Sequence, residues 1–375
     1  MKFSVDRDVL ADAVAWTSRA VPARPPVPVL AGVRIVADDS GTVRLASFDY
    51  EVSARSEFAA DVETPGEVLV SGRLLKEIAN ALPHKPVQFV LDGTKVAVTC
   101  GASRFTLATM PVDQYPTLPE FPAQSGTIDG AEFQHAVSQV TSAASRDETL
   151  PILTGVRMEI EGSHISLLAT DRYRLALREV GWKPSSPDAS AVALVRAKTL
   201  NETAKSLSAG DVTVALSSGQ GVDLVGFEAG GLVTTSLLMD GDYPQVRRLF
   251  PDESPITAVV KTSDLIEATK RVSLVAERNS SVRLAFTEGE VTLDAGQTDD
   301  AQASEALECA LDGEPIVVAF NPTFLLDGLN ALGSEYVQLG FTQDTKPVEF
   351  VGLDKPGGTV ASEFRYLLVP IRIAS

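Results

Sequence analysis

Three copies of one pattern run along this chain, and nothing else in it constrains the fold as strongly. The segment "LASFDYEVSARSE" from Leu45 aligns with "LLATDRYRLALRE" from Leu167, a shift of 122 residues that sets Asp49 on Asp171. Just upstream, "VPVLAGVRI" matches "LPILTGVRM". A fainter third copy holds "ERNSSVRLAF" from Glu277 and "VTLDAGQTDDAQASE" from Val291. Later in each unit, "VSGRLLKEIANAL" at Val70, "VRAKTLNETAKSL" at Val195 and "FNPTFLLDGLNAL" at Phe320 recur every 125 residues. Their apolar residues fall at helical intervals, as Leu75, Ile78, Ala79 and Leu82 do. Short alternating runs such as "PVQFVL", "KVAVTC" and "RFTLATM" follow, separated by turn residues, and read as strands. An earlier helix is expected in each unit, in "DRDVLADAVAWTSRAV", "DGAEFQHAVSQVTSAAS" and "KTSDLIEATKRVSLVAE". A period of this length is too long for a solenoid, so each unit is expected to be a whole α+β domain. The Pro-rich stretches "TLPEFPAQSG" and "LFPDESP" place the domains at residues 1–122, 123–252 and 253–375. The ends echo too: "FTLATMPVDQYP" from Phe105 is matched by the terminal "FRYLLVPIRIAS" from Phe364.

Catalytic patterns are missing. There is no phosphate-binding loop, and Leu224 sits where a dinucleotide fingerprint after Gly219 and Gly221 needs its third glycine; a hairpin turn is expected there. His84, His135 and His164 are scattered, Cys100 and Cys309 stand far apart, and neither set suits a metal. Carboxylate pairs such as Asp147–Glu148 and Asp299–Asp300 lie in turn-like stretches and read as solvated charges. The expectation is a binding or architectural protein without catalytic residues, metal or cofactor. No apolar run approaches the ~18 residues of a membrane span, and the early acidic Asp6 does not suit a secretory signal. A cytoplasmic, non-membrane location is therefore expected. The net charge of −18 argues by itself against a nucleic-acid binder. Two other classes stay open: an enzyme with an unrecognised site between domains, and a scaffold that binds only proteins.

The tandem repeat, "ATDRYRLA" at 169–176, "DYPQVRRLFP" at 242–251 and the terminal "LLVPIRI" together resemble the bacterial DNA polymerase III sliding clamp, the β subunit, over the whole chain. The resemblance implies a head-to-tail homodimer forming a six-domain ring, with helices inside and sheets outside. Twelve inner helices packed roughly 8–10 Å apart give a circumference on the order of 100 Å, enough for duplex DNA without sequence specificity. A ring is held by topology, so an acidic exterior is compatible with a mildly basic lumen. Arg24, Arg73, Arg146, Arg196, Lys198 and Lys205, with Lys76, Lys270 and Arg271, lie on or beside the expected helices and are candidates to face DNA.

The resemblance also implies a pocket between the second and third domains. There the polymerase III catalytic subunit, the clamp loader, other polymerases and repair proteins would dock short Gln-and-apolar motifs. Carried over, its residues are Leu153, Thr170, Tyr173, Arg174, Leu175, Pro244, Arg248, Leu249, Asn321, Phe324, Leu367, Val369, Pro370, Ile371 and Arg372. Most are apolar with a few polar anchors, as a peptide groove requires. Core packing is the competing reading for Leu153, Leu175 and Leu249. Phe105 and Leu107, on an expected edge strand, and Leu274 would form the dimer contact. Asn279, Arg172 and the terminal Ala374 and Ser375 depart from the family's usual pattern and bear on partner specificity.

Overall fold

The structure, a computed structural model, describes residues 1–375 except 218–222, 276–280, 299–300, 359 and 373–375; the side chains of 124–125, 297–298, 360 and 361–362 are also outside the description. The turn at Gly219 and Gly221, Asn279, Asp299, Asp300, Ala374 and Ser375 thus lie outside the described residues.

Each repeat carries two helices: α1 (Arg7–Thr17) and α2 (Gly72–Ala81), α3 (Gly130–Thr141) and α4 (Ala197–Ser206), α5 (Thr262–Val272) and α6 (Pro322–Leu332). Local chemistry sets their ends. Asp6 caps α1, its carboxylate accepting from the backbone N–H of Asp8 and Val9. Asn321 does the same for α6 toward Thr323 and Phe324, Pro322 occupies the first turn, and Gly333 at φ 62° ends the helix in the left-handed region. The expected run of three strands after α2 forms as Val87–Asp92, Lys95–Cys100 and Ser103–Met110, paired antiparallel in sequence order.

The chain divides into two compact units that cut through the second repeat. One comprises Met1–Ala131, Lys183–Ser185 and Thr203–Leu238; the other comprises Glu132–Trp182, Ser186–Glu202 and Met239–Ser375. Strand pairing explains why. Each unit is organised on one continuous sheet. In the first, strand Leu232–Leu237 of the second repeat pairs antiparallel with Val52–Ala59 of the first, Ser236 opposite Val52. In the second, Val360–Leu368 of the third repeat pairs with Arg174–Gly181 of the second, Leu368 opposite Arg174. Of the described strands of the middle repeat, five join the first sheet and four the second. Every residue of the expected pocket falls in the second unit.

The first unit buries Phe3, Val14, Leu75, Phe89 and Leu107 in one core, with the Phe3 and Phe89 rings stacked at 4.8 Å. The second unit holds a cluster of Leu168, Leu175, Leu177, Leu194, Tyr243, Val246, Phe250 and Leu367.

Candidate functional site

The site grows from a tight turn between strands His164–Thr170 and Arg174–Gly181. The Asp171 carboxylate accepts from the backbone N–H of Tyr173 (3.0 Å) and Arg174 (3.1 Å). The Thr170 hydroxyl donates to the Arg174 carbonyl at 2.6 Å and accepts from the Arg172 N–H. Arg172 takes φ 81°, a left-handed conformation that a side chain adopts at a penalty. From the linker after the second repeat, the Tyr243 hydroxyl accepts from the Thr170 N–H at 3.0 Å. Burial raises the phenol pKa of Tyr243.

That turn projects Arg174 into a nearly dry environment, its side chain only 5% exposed. Its Nε donates to Asp171 Oδ2 at 3.0 Å and its Nη1 to Asp327 Oδ2 of α6 at 2.6 Å. The guanidinium lies 4.3 Å from the centre of the Phe324 ring, a cation–π geometry. Tyr173 stacks on the same ring with centroids 6.1 Å apart, yet is 55% exposed. The Tyr366 hydroxyl donates to the Phe324 carbonyl at 2.9 Å. Burial comes first among the causes that raise the Tyr366 phenol pKa.

The C-terminal segment closes one side. The Val369 N–H donates to the Tyr173 carbonyl (2.9 Å) and the Ile371 N–H to the Ala319 carbonyl (2.7 Å). These bonds hold an apolar tail in place with Val369 and Ile371 exposed. Leu249 is exposed as well, in the short 3-10 turn Arg247–Leu249, while Val246 and Phe250 on either side of that turn are buried in the cluster with Leu175 and Leu367.

The fifteen expected pocket residues therefore fall into groups. Tyr173, Arg174, Asn321, Phe324, Val369 and Ile371 are tied together by the contacts above. Thr170, Leu175 and Leu367 are buried beneath them, as supports rather than open walls. Pro244, Arg248 and Leu249 are exposed on the linker; Pro370 is half-buried and Arg372 exposed on the tail. Leu153 is buried in its own 3-10 turn, its carbonyl accepting from Ser145, so the core-packing reading holds for it and for Leu175. It fails for Leu249. Sequence reasoning missed Asp327, Tyr366 and Tyr243 as members of this site. The one signal for Asp327 was a single carboxylate in the otherwise apolar "FNPTFLLDGLNAL".

The six candidate DNA-facing residues, Arg24, Arg73, Arg146, Arg196, Lys198 and Lys205, are all exposed. Arg73 lies 3.3 Å from Glu77 and, with Lys76, Ala23 and Pro25, lines a cavity of about 300 Å³. Lys270 pairs with Glu267, and Arg271 with Glu305, which tempers the positive charge expected along α5.

Phe105 is partly exposed and Leu274 is 84% exposed, but Leu107 is a core residue at 4%. The Leu107 side chain is packed in the core of the first unit and unavailable to a partner, whereas Phe105, two residues earlier on the same face of the strand, is exposed. Among the described residues, Ser103–Ala108 pairs with strand Lys95–Cys100 on one side only, since strand Gly66–Ser71 reaches just Thr109 and Met110. The backbone edge is open where the Leu107 side chain is not.

Among the described residues no group of three or more His, Cys, Asp or Glu could hold a metal ion. Nor is any described helix long and apolar enough to cross a membrane. Three α+β repeats joined by sheet continuation, with an apolar, aromatic surface at the second join, describe a repeat-built binding protein.

Comparison with known proteins narrows this. The N-terminal, central and C-terminal domains of the DNA polymerase III beta subunit match residues 1–119, 127–245 and 247–362. A beta sliding clamp of Streptomyces coelicolor is 54% identical over 376 residues, covering all of both chains. One from Micrococcus luteus is 60% identical, covering 83% of this chain and all of its own. The crystal structure of the Bacillus subtilis DNA polymerase sliding clamp superposes with a TM-score of 0.90 at 28% identity, covering both chains fully. The chain belongs to the bacterial DNA polymerase III beta sliding clamp family. Its repeats are the three domains of the clamp fold, and sliding clamps are non-catalytic processivity factors.

Proposed function

We propose that the surface built from Tyr173, Arg174, Phe324, Leu249, Val369 and Ile371 receives the short Gln-and-apolar peptide of a polymerase, clamp loader or repair protein. The clamp itself encircles DNA and tethers the replicative polymerase for processivity. In this reading the domains are bounded near residues 122 and 252. The chain acts as a head-to-tail homodimer, with Phe105 and the open backbone edge of Ser103–Ala108 meeting the region of Leu274; unpaired edges seek partners. Arg24, Arg73, Arg146, Arg196, Lys198 and Lys205 contact phosphates without reading sequence.

The single observation that carries the docking reading is the tail. Val369 and Ile371 are pinned by backbone hydrogen bonds to Tyr173 and Ala319 while both residues stay exposed. Exposed apolar side chains held rigidly, with aromatic and arginine neighbours, are what a peptide-binding hot spot needs.

Changing Val369, Pro370 and Ile371 together to Ala is expected to weaken the affinity for a fluorescent Gln-and-Leu peptide, read by anisotropy, by more than roughly tenfold, since the loss of even one such anchor costs about 2 kcal/mol. Sedimentation of the same variant should match the parent, since Phe105 and Leu274 are untouched. Undiminished peptide binding would mean that the docking surface lies elsewhere.

A further inference from the structure

We propose that Asp327 is the positioning residue of the docking surface: its carboxylate fixes the Arg174 guanidinium over the Phe324 ring and thereby sets which apolar peptide side chain the surface prefers. The inference rests on the docking reading above.

The geometry carries it in three steps. A buried guanidinium must have its donors satisfied and its plane fixed by whatever satisfies them. Asp171 cannot do this alone. It is only three residues away, and its Oδ1 is already engaged by the N–H groups of Tyr173 and Arg174, leaving Oδ2 for Arg174 Nε. The second hold comes from Asp327, whose Oδ2 takes Nη1 at 2.6 Å from the α6 side.

The pair is also unnecessary to the turn that presents Arg174. The first repeat builds the same turn with Val52 in the place of Arg174. The Asp49 carboxylate accepts from the N–H of Glu51 (2.9 Å) and Val52 (2.6 Å), with Tyr50 at φ 74° where Arg172 has 81°. In sequence, Glu202 stands where Asp327 does, 125 residues on. An arginine that the turn does without, held 4.3 Å from an aromatic ring on which an exposed tyrosine stacks, shapes the surface beside that turn.

Finally, Asp327 is not sealed in. Its side chain is 35% exposed, and it lines a groove of about 320 Å³ with His135, Ser138 and Gln139. A carboxylate with one side open to water is suited to hold a partner in a set orientation without the full penalty of a dry ion pair.

The test uses the full chain and two fluorescent peptides that differ only in Leu or Phe at the apolar anchor, read by anisotropy. Asp327→Asn is expected to change the ratio of the two affinities at least fivefold. Asp327→Glu should return the ratio toward the parent's. Arg174→Lys should move it in the same direction as Asp327→Asn, and the double variant no further, as residues acting through one another do. Thermal melts accompany each variant. An unchanged ratio in Asp327→Asn, or equal losses for both peptides, overturns the inference and leaves Asp327 with a structural role only. Should Asp327→Asn not fold, an unchanged ratio in Arg174→Lys overturns it in the same way. If the parent chain binds neither peptide, the docking reading falls first and this inference with it.

Discussion

The two joins between repeats share one backbone and differ in side chains. At the first, Asp49 caps the turn, Tyr50 is left-handed, and the Leu237 N–H donates to the Glu51 carbonyl at 2.8 Å. At the second, Asp171 caps it, Arg172 is left-handed, and the Val369 N–H donates to the Tyr173 carbonyl at 2.9 Å. Even the next bond recurs: Met239 N–H to the Leu194 carbonyl, then Ile371 N–H to the Ala319 carbonyl. Tyr115 and Tyr243 occupy matching places in the linkers, and burial pushes the Tyr115 phenol up to about 12. What changes is the chemistry presented. Glu51 and Val52 become Tyr173 and Arg174. Thr234, whose hydroxyl donates to the Ser53 carbonyl, is replaced by Tyr366, and Thr203 by Gly328. The difference teaches that the repeat supplies a frame, and that a few residue changes on one copy of it present an aromatic and charged surface where the other presents none.

The sharpest way to break the comparison is to import the first join's residue into the second. Arg174→Val removes the partner of two carboxylates, one of them Asp171 with a side chain 12% exposed. Stripping one member from a buried ionic cluster costs about 3–5 kcal/mol. Urea denaturation should show a loss of that order, and a change below about 1 kcal/mol would mean the ionic cluster adds little. A smaller effect is expected at the volume exchange. A Cβ on Gly328 would sit 2.4 Å from the Tyr366 ring, too close for any rotamer shift of that buried tyrosine to relieve fully. Gly328→Ala should therefore destabilise by roughly 1–3 kcal/mol despite alanine's better helix propensity. A gain in melting temperature would show that the ring has room to move. The smallest effect belongs to the shared backbone. Arg172→Gly relieves a left-handed side chain but loosens the unfolded chain, for a net change within about 1 kcal/mol; a calorimetric loss well beyond that would give weight to the Arg172 guanidinium's place 5.9 Å from the centre of the Tyr173 ring.

Much of the fold was legible because it rests on local rules. Asp6 and Asn321 cap helices by their own side chains, and the apolar spacing of Leu75 and Ala79 gives the buried stripe of α2 whatever surrounds it. The candidate site was legible only through likeness between copies and to a known family. That likeness pointed to Tyr173, Arg174 and Phe324, which the structure brings into contact, and to Leu153, Leu175 and Leu107, which it buries. Sequence alternation says which residues share a face; it does not say where on that face the covering layer stops, and that boundary separates buried Leu107 from exposed Phe105 on one strand.

By itself, then, the sequence determined the number of repeats and their helices and hairpins, because periodicity, capping and spacing act over a few residues. The tertiary structure decided the rest. Leu368 meets Arg174, and Ser236 meets Val52, across strands from different repeats. Asp327 meets Arg174 across 153 positions of chain. Those meetings depend on long-range pairing and on the desolvation of one guanidinium, and no local pattern in the sequence encodes either.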